Sequence, residues 1–458
     1  GVYMSWYADV TLENVEVTDN TTSYYGSAFY HYLEGTLTLI NSTVSGNSGG
    51  TGAYYSTGDE TILIAFNSIF WNTGVQEIYL SGASYHDEIA RVGQCLIEGG
   101  TTSGMYEGDS DIYTYGSITT GDPAFVDTTS GDYHLSAQSA AISAGADQLS
   151  INNVTYTAPA RDLDGVARPN PEATTLDLGA YEHENGVGPY DGPVWYVNGA
   201  EALPYGNGST SAPYSMIGSA IGAAEDGDTV HVAAATYVEN INFNGKNIAV
   251  IGEDRETTII DGNQSGSVVM INTNETNNAV LDGFTLRNGS GYDRLSNESY
   301  YGGGIYAGGT GPSLKNLIIQ SNTADYGAGI CLSSADAIIK NVIITNNTAT
   351  PSCAGIRIEN SSPYLENILI ADNTAWYNTA MSILNSHATI VNSTITNNAV
   401  THGSIGFQAI LLSFDSDLKL LNTIILNEGV PEIEFDADYP PDTLNISYSL
   451  IQGGLDSI

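Results

Sequence analysis

LKNLIIQSN at 314–322 is followed by IKNVIITNN at 339–347, LENILIADN at 365–373, IVNSTITNN at 390–398 and LNTIILN at 421–427. The first asparagine of the phrase falls at Asn316, Asn341, Asn367, Asn392 and Asn422, in steps of 25, 26, 25 and 30 residues. The second falls at Asn322, Asn347, Asn373, Asn398 and Asn427. Each unit carries short β-branched runs punctuated by Asn and Gly, which is strand chemistry with turn residues. Three strands of about five residues plus their corners fill roughly 25 residues, one coil of a solenoid. Coils of parallel strands stack at about 4.8 Å. Helical repeats would need helix-forming stretches, and Gly, Asn, Thr and Ser stand in their place. The sequence therefore predicts an all-β parallel β-helix solenoid of about 25 residues per coil.

An asparagine at one place in every coil can hydrogen-bond its neighbours above and below, and it tolerates the left-handed backbone of a tight corner. We expect such a ladder, turned inward, at Asn14, Asn41, Asn67, Asp282, Asn316, Asn341, Asn367, Asn392 and Asn422. The front members come from LENVEVTDN (12–20), LINSTVSGN (39–47) and FNSIFWN (66–72).

A second period is longer. LENVEVTDN matches LENILIADN at an offset of 353, LINSTVSGN matches IVNSTITNN at 351, and FNSIFWN matches LNTIILN at 355. EIYL at 77 matches EIEF at 432, and CLIEGG at 95 matches SLIQGG at 449. Residues 1–104 and about 354–458 thus read as two copies of one stretch. The chain is expected to start and stop inside a β-helix, with Gly1 an internal or processed residue.

Three regions follow: 1–184, the C-terminal part of one β-helix module with its closing element; 185–193 (NGVGPYDGP), a Gly/Pro linker; and 194–458, the capped N-terminal part of the next module. A small helix is expected near 211–224. Pro213 suits its first turn, and Met216, Ile217, Ala220, Ile221 and Ala224 make one apolar face, suited to covering the first coil.

Charge narrows the functions. The chain has 52 acidic against 11 basic residues, a net charge of −41. No nucleic acid partner is expected of such a polyanion, and no membrane insertion, since no apolar run reaches a membrane span. Three cysteines do not make a disulfide framework. Cys331 and Cys353 lie about one coil apart, which leaves a bridge between them open. Cys95 stands where the other copy has Ser449 and reads as a small buried residue.

The stretch VWYVNGAEALPYGNGSTSAPYSMIGSAIGAAEDGDTVHVAAATYVENINFNGKNIAVIGEDRETTIIDGN (194–263) resembles the N-terminal cap and first coils of pectin-lyase-like right-handed parallel β-helix proteins of the secreted bacterial surface type. RDLDGVARPNPEATTLDLGAYEHE (161–184) is similar to the C-terminal element of the same group. The resemblance covers nearly the whole chain and implies a right-handed helix and an extracellular or cell-surface location. It says little of activity, because the fold hosts lyases, hydrolases, esterases and inert adhesins. Enzymes of the group that cleave acidic polysaccharides use calcium-bound carboxylates with an Arg or Lys, or paired aspartates. Arg287, Arg294 and Arg357 lie within the second region's coils, and none sits in such a motif. No catalytic residues are assigned, and catalysis is not expected.

Two candidate sites remain. The insertion GSGYDRLSNESYY (289–301) lengthens the step from Asp282 to Asn316 to 34 residues. It supplies Tyr292, Asp293, Arg294, Tyr300 and Tyr301, the aromatic and polar mix that sugar stacking uses. Asp162 and Asp164, in a DxDG pattern, could hold calcium, the one cofactor considered, or could equally lock a turn. Thirty tyrosines, clustered at Tyr24–Tyr25, Tyr30, Tyr32, Tyr54–Tyr55 and Tyr300–Tyr301, favour protein or glycan contact. The leading expectation is a structural repeat module of a long extracellular surface protein, an adhesin or filament. The alternative is a polysaccharide-binding or polysaccharide-degrading β-helix. Possible partners are a glycan or cell-surface ligand and further copies of the chain, joined head to tail into filaments through exposed strand edges.

Overall fold

The structure is a computed structural model describing residues 1–458 apart from 83–87, 109, 201, 203–205, 295, 297–298, 402–407, 428, 437–441 and 455–458. It divides into two compact units, residues 1–190 with 203–207 and residues 191–202 with 208–458. Both are parallel β-solenoids, at about 26 residues per turn, with two short helices among the described residues.

One coil of the second unit shows how the sequence winds. Ile338–Lys340 joins a ten-stranded sheet, Ile343–Thr345 a nine-stranded sheet, Thr348–Ser352 a six-stranded sheet and Ile356–Glu359 an eight-stranded sheet; Tyr364–Glu366 then re-enters the first. Side chains alternate across a strand, so the middle residue of each three-residue strand points inward. Register stacks those residues like on like. Leu314, Ile339, Leu365, Ile390 and Leu420 form one column, all fully buried. Ile319, Ile344, Ile370, Ile395 and Ile425 form the next. Glycine is needed where the chain enters the eight-stranded sheet: a Cβ on Gly355 would lie 2.2 Å from the carbonyl oxygen of Ala380 in the coil beyond.

Asparagines build two ladders. Asn316, Asn341, Asn367, Asn392 and Asn422 sit at the corner between the ten- and nine-stranded sheets, each with φ between 49° and 58°. Their amides bond along the axis, Asn316 to Asp282 at 2.7 Å, Asn341 to Asn316 at 3.2 Å and Asn367 to Asn341 at 2.7 Å. They are solvent-exposed, not turned inward. The inward ladder is made by the second asparagine. Asn322, Asn347, Asn373, Asn398 and Asn427 are buried, and each Nδ2 donates to the next Oδ1 at 2.9–3.0 Å. The last member, Asn427, meets a buried carboxylate, Glu432, through its backbone N–H at 2.7 Å and its Nδ2 at 2.8 Å. The first unit repeats the device from Asn20 through Asn47 and Asn72 to Glu77. Burial pushes the Glu77 carboxyl up to about 8.

The helix is shorter than predicted, Ile217–Ala223. Met216 is its extended N-cap and is 48% exposed, while Ile217, Ala220 and Ile221 face the strands Val194–Val197, Thr229–Val232 and Ile241–Asn242. Residue 216 cannot join the apolar face because the Glu239 carboxylate takes the N–H groups of Ile217 and Gly218 and starts the helix there. The three cysteines are free and buried. Cys331 pairs in register with Arg357, not with Cys353. Cys95 accepts from the Ser68 N–H and donates to the Gly93 carbonyl, the roles Ser449 plays toward Thr423 and Ser447.

Residues 121–184 close the first unit. Leu135, Ala141, Ile142 and Leu178 pack on Ile69 and Leu96. Asn67 exchanges two hydrogen bonds with the Ala146 backbone, Asn14 donates to the Arg161 carbonyl at 2.6 Å, and Asn41 donates to the Asp177 carbonyl at 3.4 Å. A buried charge network holds the segment itself. Arg168 pairs with Glu182, both side chains fully buried, and also donates to the Gly179 carbonyl and to Asn14.

Candidate functional site

The first unit's five-stranded sheet carries a tyrosine on the outward side of every strand. In the order of the sheet these are Tyr3 (Val2–Ser5), Tyr30 (Gly26–Tyr32), Tyr55 (Gly52–Thr57), Tyr79 (Gln76–Leu80) and Tyr106 (Met105–Tyr106). All four successive pairs are direct register partners. Their inward neighbours Phe29, Tyr54 and Ile78 fill the core, so strand alternation fixes the outward placement. Ring centroids along the row are 5.3, 5.8, 5.4 and 4.5 Å apart, and Tyr25 stacks beside Tyr30 at 5.1 Å. Tyr3 and Tyr106 at the two ends are 61% and 45% exposed, and Tyr55 in the middle is nearly covered by its neighbours. Burial raises the phenols of Tyr30, Tyr55 and Tyr79, with neighbouring tyrosines adding to it, so all stay protonated and able to donate. The product is a strip of ring edges and hydroxyls repeating once per coil. It can meet apolar C–H surface and hydroxyl groups together.

The insertion is built differently. Tyr292–Asp293 pairs antiparallel with Tyr300–Tyr301 and extends the six-stranded sheet. Three of its candidate residues gather with others: Tyr292 packs on Tyr306 at 5.0 Å, Tyr301 stacks on Tyr326 at 5.0 Å, and Arg294 reaches Glu359 at 2.9 Å. Arg357 lies 5.1 Å over Tyr326 and 6.0 Å over Tyr301. Tyr301 and Tyr326 are thus stacked on one another with guanidinium groups over them, and Tyr300, 41% exposed, is the aromatic that the hairpin turns outward. Residues 295, 297 and 298 of the insertion lie outside the described residues.

Asp162 and Asp164 point apart. Asp162 is buried, its two oxygens accepting from the N–H groups of Val166 and Glu182 at 2.7 and 2.9 Å, which locks the turn. Asp164 accepts from His134 Nε2 at 2.8 Å, and Asp132 holds His134 Nδ1 at 2.7 Å. Among the described residues no three His, Cys, Asp or Glu side chains gather to hold a metal ion.

The second unit offers a cleft of about 510 Å³ on the outside of its first coils. Tyr196 stacks on His231 at 5.7 Å there, with Thr210, Ser211 and Glu253 at its rim. Sequence reading missed both this cleft and the full tyrosine row. The row's signal was a tyrosine recurring at 3, 30, 55, 79 and 106, close to the coil period.

Among the described residues no helix is long and apolar enough to cross a membrane. A family model described as right-handed β-helix region matches residues 303–454. No curated protein matches. Solved structures that the chain is similar to include the pectate lyase Pel9A, at 12% identity over 57% of this chain and 79% of that one, with a TM-score of 0.40. A PL6 family alginate lyase, AlyGC, is 11% identical over 96% of this chain and 69% of that one, with a TM-score of 0.28. A pectin methylesterase from Aspergillus niger is 14% identical over 56% of this chain and 91% of that one, also with a TM-score of 0.28. The chain is a right-handed parallel β-solenoid, and its residues 303–454 match the right-handed β-helix family.

Proposed function

We propose that this is a polysaccharide-binding β-helix that holds a neutral glycan lengthwise along the tyrosine row of its first unit. The observation that carries the reading is the in-register column Tyr3, Tyr30, Tyr55, Tyr79 and Tyr106 on five adjacent strands. A regular row of ring edges and phenol hydroxyls suits a polymer whose own repeat presents C–H patches and hydroxyls in alternation. The net charge of −41 disfavours polyuronates, which it would repel, and so selects an uncharged chain. Gel retardation against xylan, mixed-linkage glucan, polygalacturonate and alginate, with and without calcium, tests this. Retardation by a neutral polymer, weakened at least about tenfold in a Tyr79→Ala/Tyr106→Ala variant, is expected. No retardation, or retardation unchanged in the variant, overturns the proposal. Release of reducing ends or unsaturated products would move the reading to a degrading enzyme.

A second reading, a structural module of a long extracellular surface protein, is favoured by the recurrence of residues 1–104 at about 354–458. It is compatible with the first, with the tyrosine row confined to the first unit: the alignment of EIYL (77–80) with EIEF (432–435) puts Glu434 where Tyr79 stands.

A further inference from the structure

The two copies of the repeated stretch differ in what covers them. In the first unit the closing segment buries Ile69 and Leu96 completely and engages Asn14, Asn41 and Asn67. In the second unit the corresponding residues are Ile424 and Leu450 for the apolar pair, and Asn367, Asn392 and Asn422 for the polar row. Ile424 is 44% exposed and Leu450 58%. Asn367 and Asn392 line an open groove of about 350 Å³ running along the same corner. The strands beneath are built alike. Ile69 and Ile424 both flank the end of the inward asparagine ladder, at Asn72–Glu77 and Asn427–Glu432.

We propose that this strip of the second unit is a docking surface for a closing segment of the residue 121–184 kind, donated by a further copy of the module. The first unit shows the chemistry the occupant must bring. It needs a leucine–alanine–isoleucine patch for Ile424 and Leu450, as Leu135, Ala141, Ile142 and Leu178 supply to Ile69 and Leu96. It also needs backbone carbonyls and an arginine for the asparagine row, as the Arg161 and Asp177 carbonyls and Arg168 supply. The inference rests on the comparison of the two copies and not on the glycan reading.

Thiol labelling tests it, because the three native cysteines are buried. Leu450→Cys is made in the full chain and in the same chain extended after Ile458 by a second copy of residues 105–190. Val238→Cys, 62% exposed on the first coils, serves as the control position. Maleimide labelling of Leu450→Cys is expected to slow at least about tenfold on extension, with Val238→Cys unchanged. Equal labelling of Leu450→Cys in both chains overturns the proposal. The same chain extended only by a second copy of residues 105–120 separates the closing segment from the added coil, since that stretch supplies the strand that pairs with Leu96 in the first unit. Protection of Leu450→Cys in the longer extension and not in the shorter supports docking, and equal protection in both overturns it.

Discussion

Asn373→Ala should break the second unit's solenoid at one coil. Asn373 is fully buried. Its amide oxygen accepts from the backbone N–H and the Nδ2 of Asn347 at 3.0 Å each, and its Nδ2 donates to Ile344, Ala371 and Asn398. Alanine removes all five bonds. The Nδ2 of Asn347 keeps the Ile319 carbonyl, but its backbone N–H loses the acceptor it had. An orphaned buried N–H costs about 1–3 kcal/mol, and the vacated side-chain volume adds to it, giving about 3–5 kcal/mol in all. The exposed ladder is the control. Asn367→Ala removes one 2.7 Å bond at the surface and places alanine at φ 56°, worth about 1 kcal/mol. Coils couple mainly to their neighbours, so the damage stays local and Trp376, in the strand Thr374–Tyr377, reports it. Urea unfolding followed by fluorescence should rank Asn373→Ala well below Asn367→Ala. If Asn373→Ala lies within about 1 kcal/mol of the parent, or if Asn367→Ala costs more, the assignment of the inward ladder is wrong.

Three further outcomes are expected. Glu77 rises from an ordinary 4.5 to about 8 through burial, so the folded first unit binds a proton there that the unfolded chain releases. Its stability should fall between those pH values by up to about 1.4 kcal/mol per pH unit, and Glu77→Gln should flatten that slope in pH-dependent urea melts. His134 is opposed by its partial burial but raised on balance by hydrogen bonds to Asp164 and Asp132. The closing segment should therefore resist proteolysis best below the ordinary value of 6.5 and lose that gain as pH climbs through the raised one; an unchanged cleavage profile in His134→Gln would refute the linkage. Arg168→Met strands the buried Glu182 carboxylate and should cost about 3–5 kcal/mol in the first unit while leaving the second unit's transition in place.

The coil period and the strands were legible because they are written in spacing. The phase of the asparagines was not. Asn316 and Asn322 recur with equal regularity, and which one turns inward depends on the left-handed residues at Asn316 and at Ser321. Glu77 and Glu432 stand at the same distance past Asn72 and Asn427 in both copies, a signal that the repeat alignment contained and that composition hid among 52 acids. The insertion was legible as tyrosine-rich, but its rings are turned onto Tyr306 and Tyr326 by cross-coil packing that no local pattern specifies. Asp162 read as either ligand or turn, and only the positions of the Val166 and Glu182 amides decide that its oxygens are taken. The tyrosine row spans strands up to 27 residues apart in sequence and emerges only once register is known.

The most direct measurement is calorimetric titration of the intact chain with a soluble neutral oligosaccharide chosen from the polymer that retards it, beside a Tyr30→Ala/Tyr79→Ala variant with an unaltered circular dichroism spectrum. Binding by the parent and its loss in the variant is the expected result. Equal affinity in both proteins would contradict a glycan site on the tyrosine row.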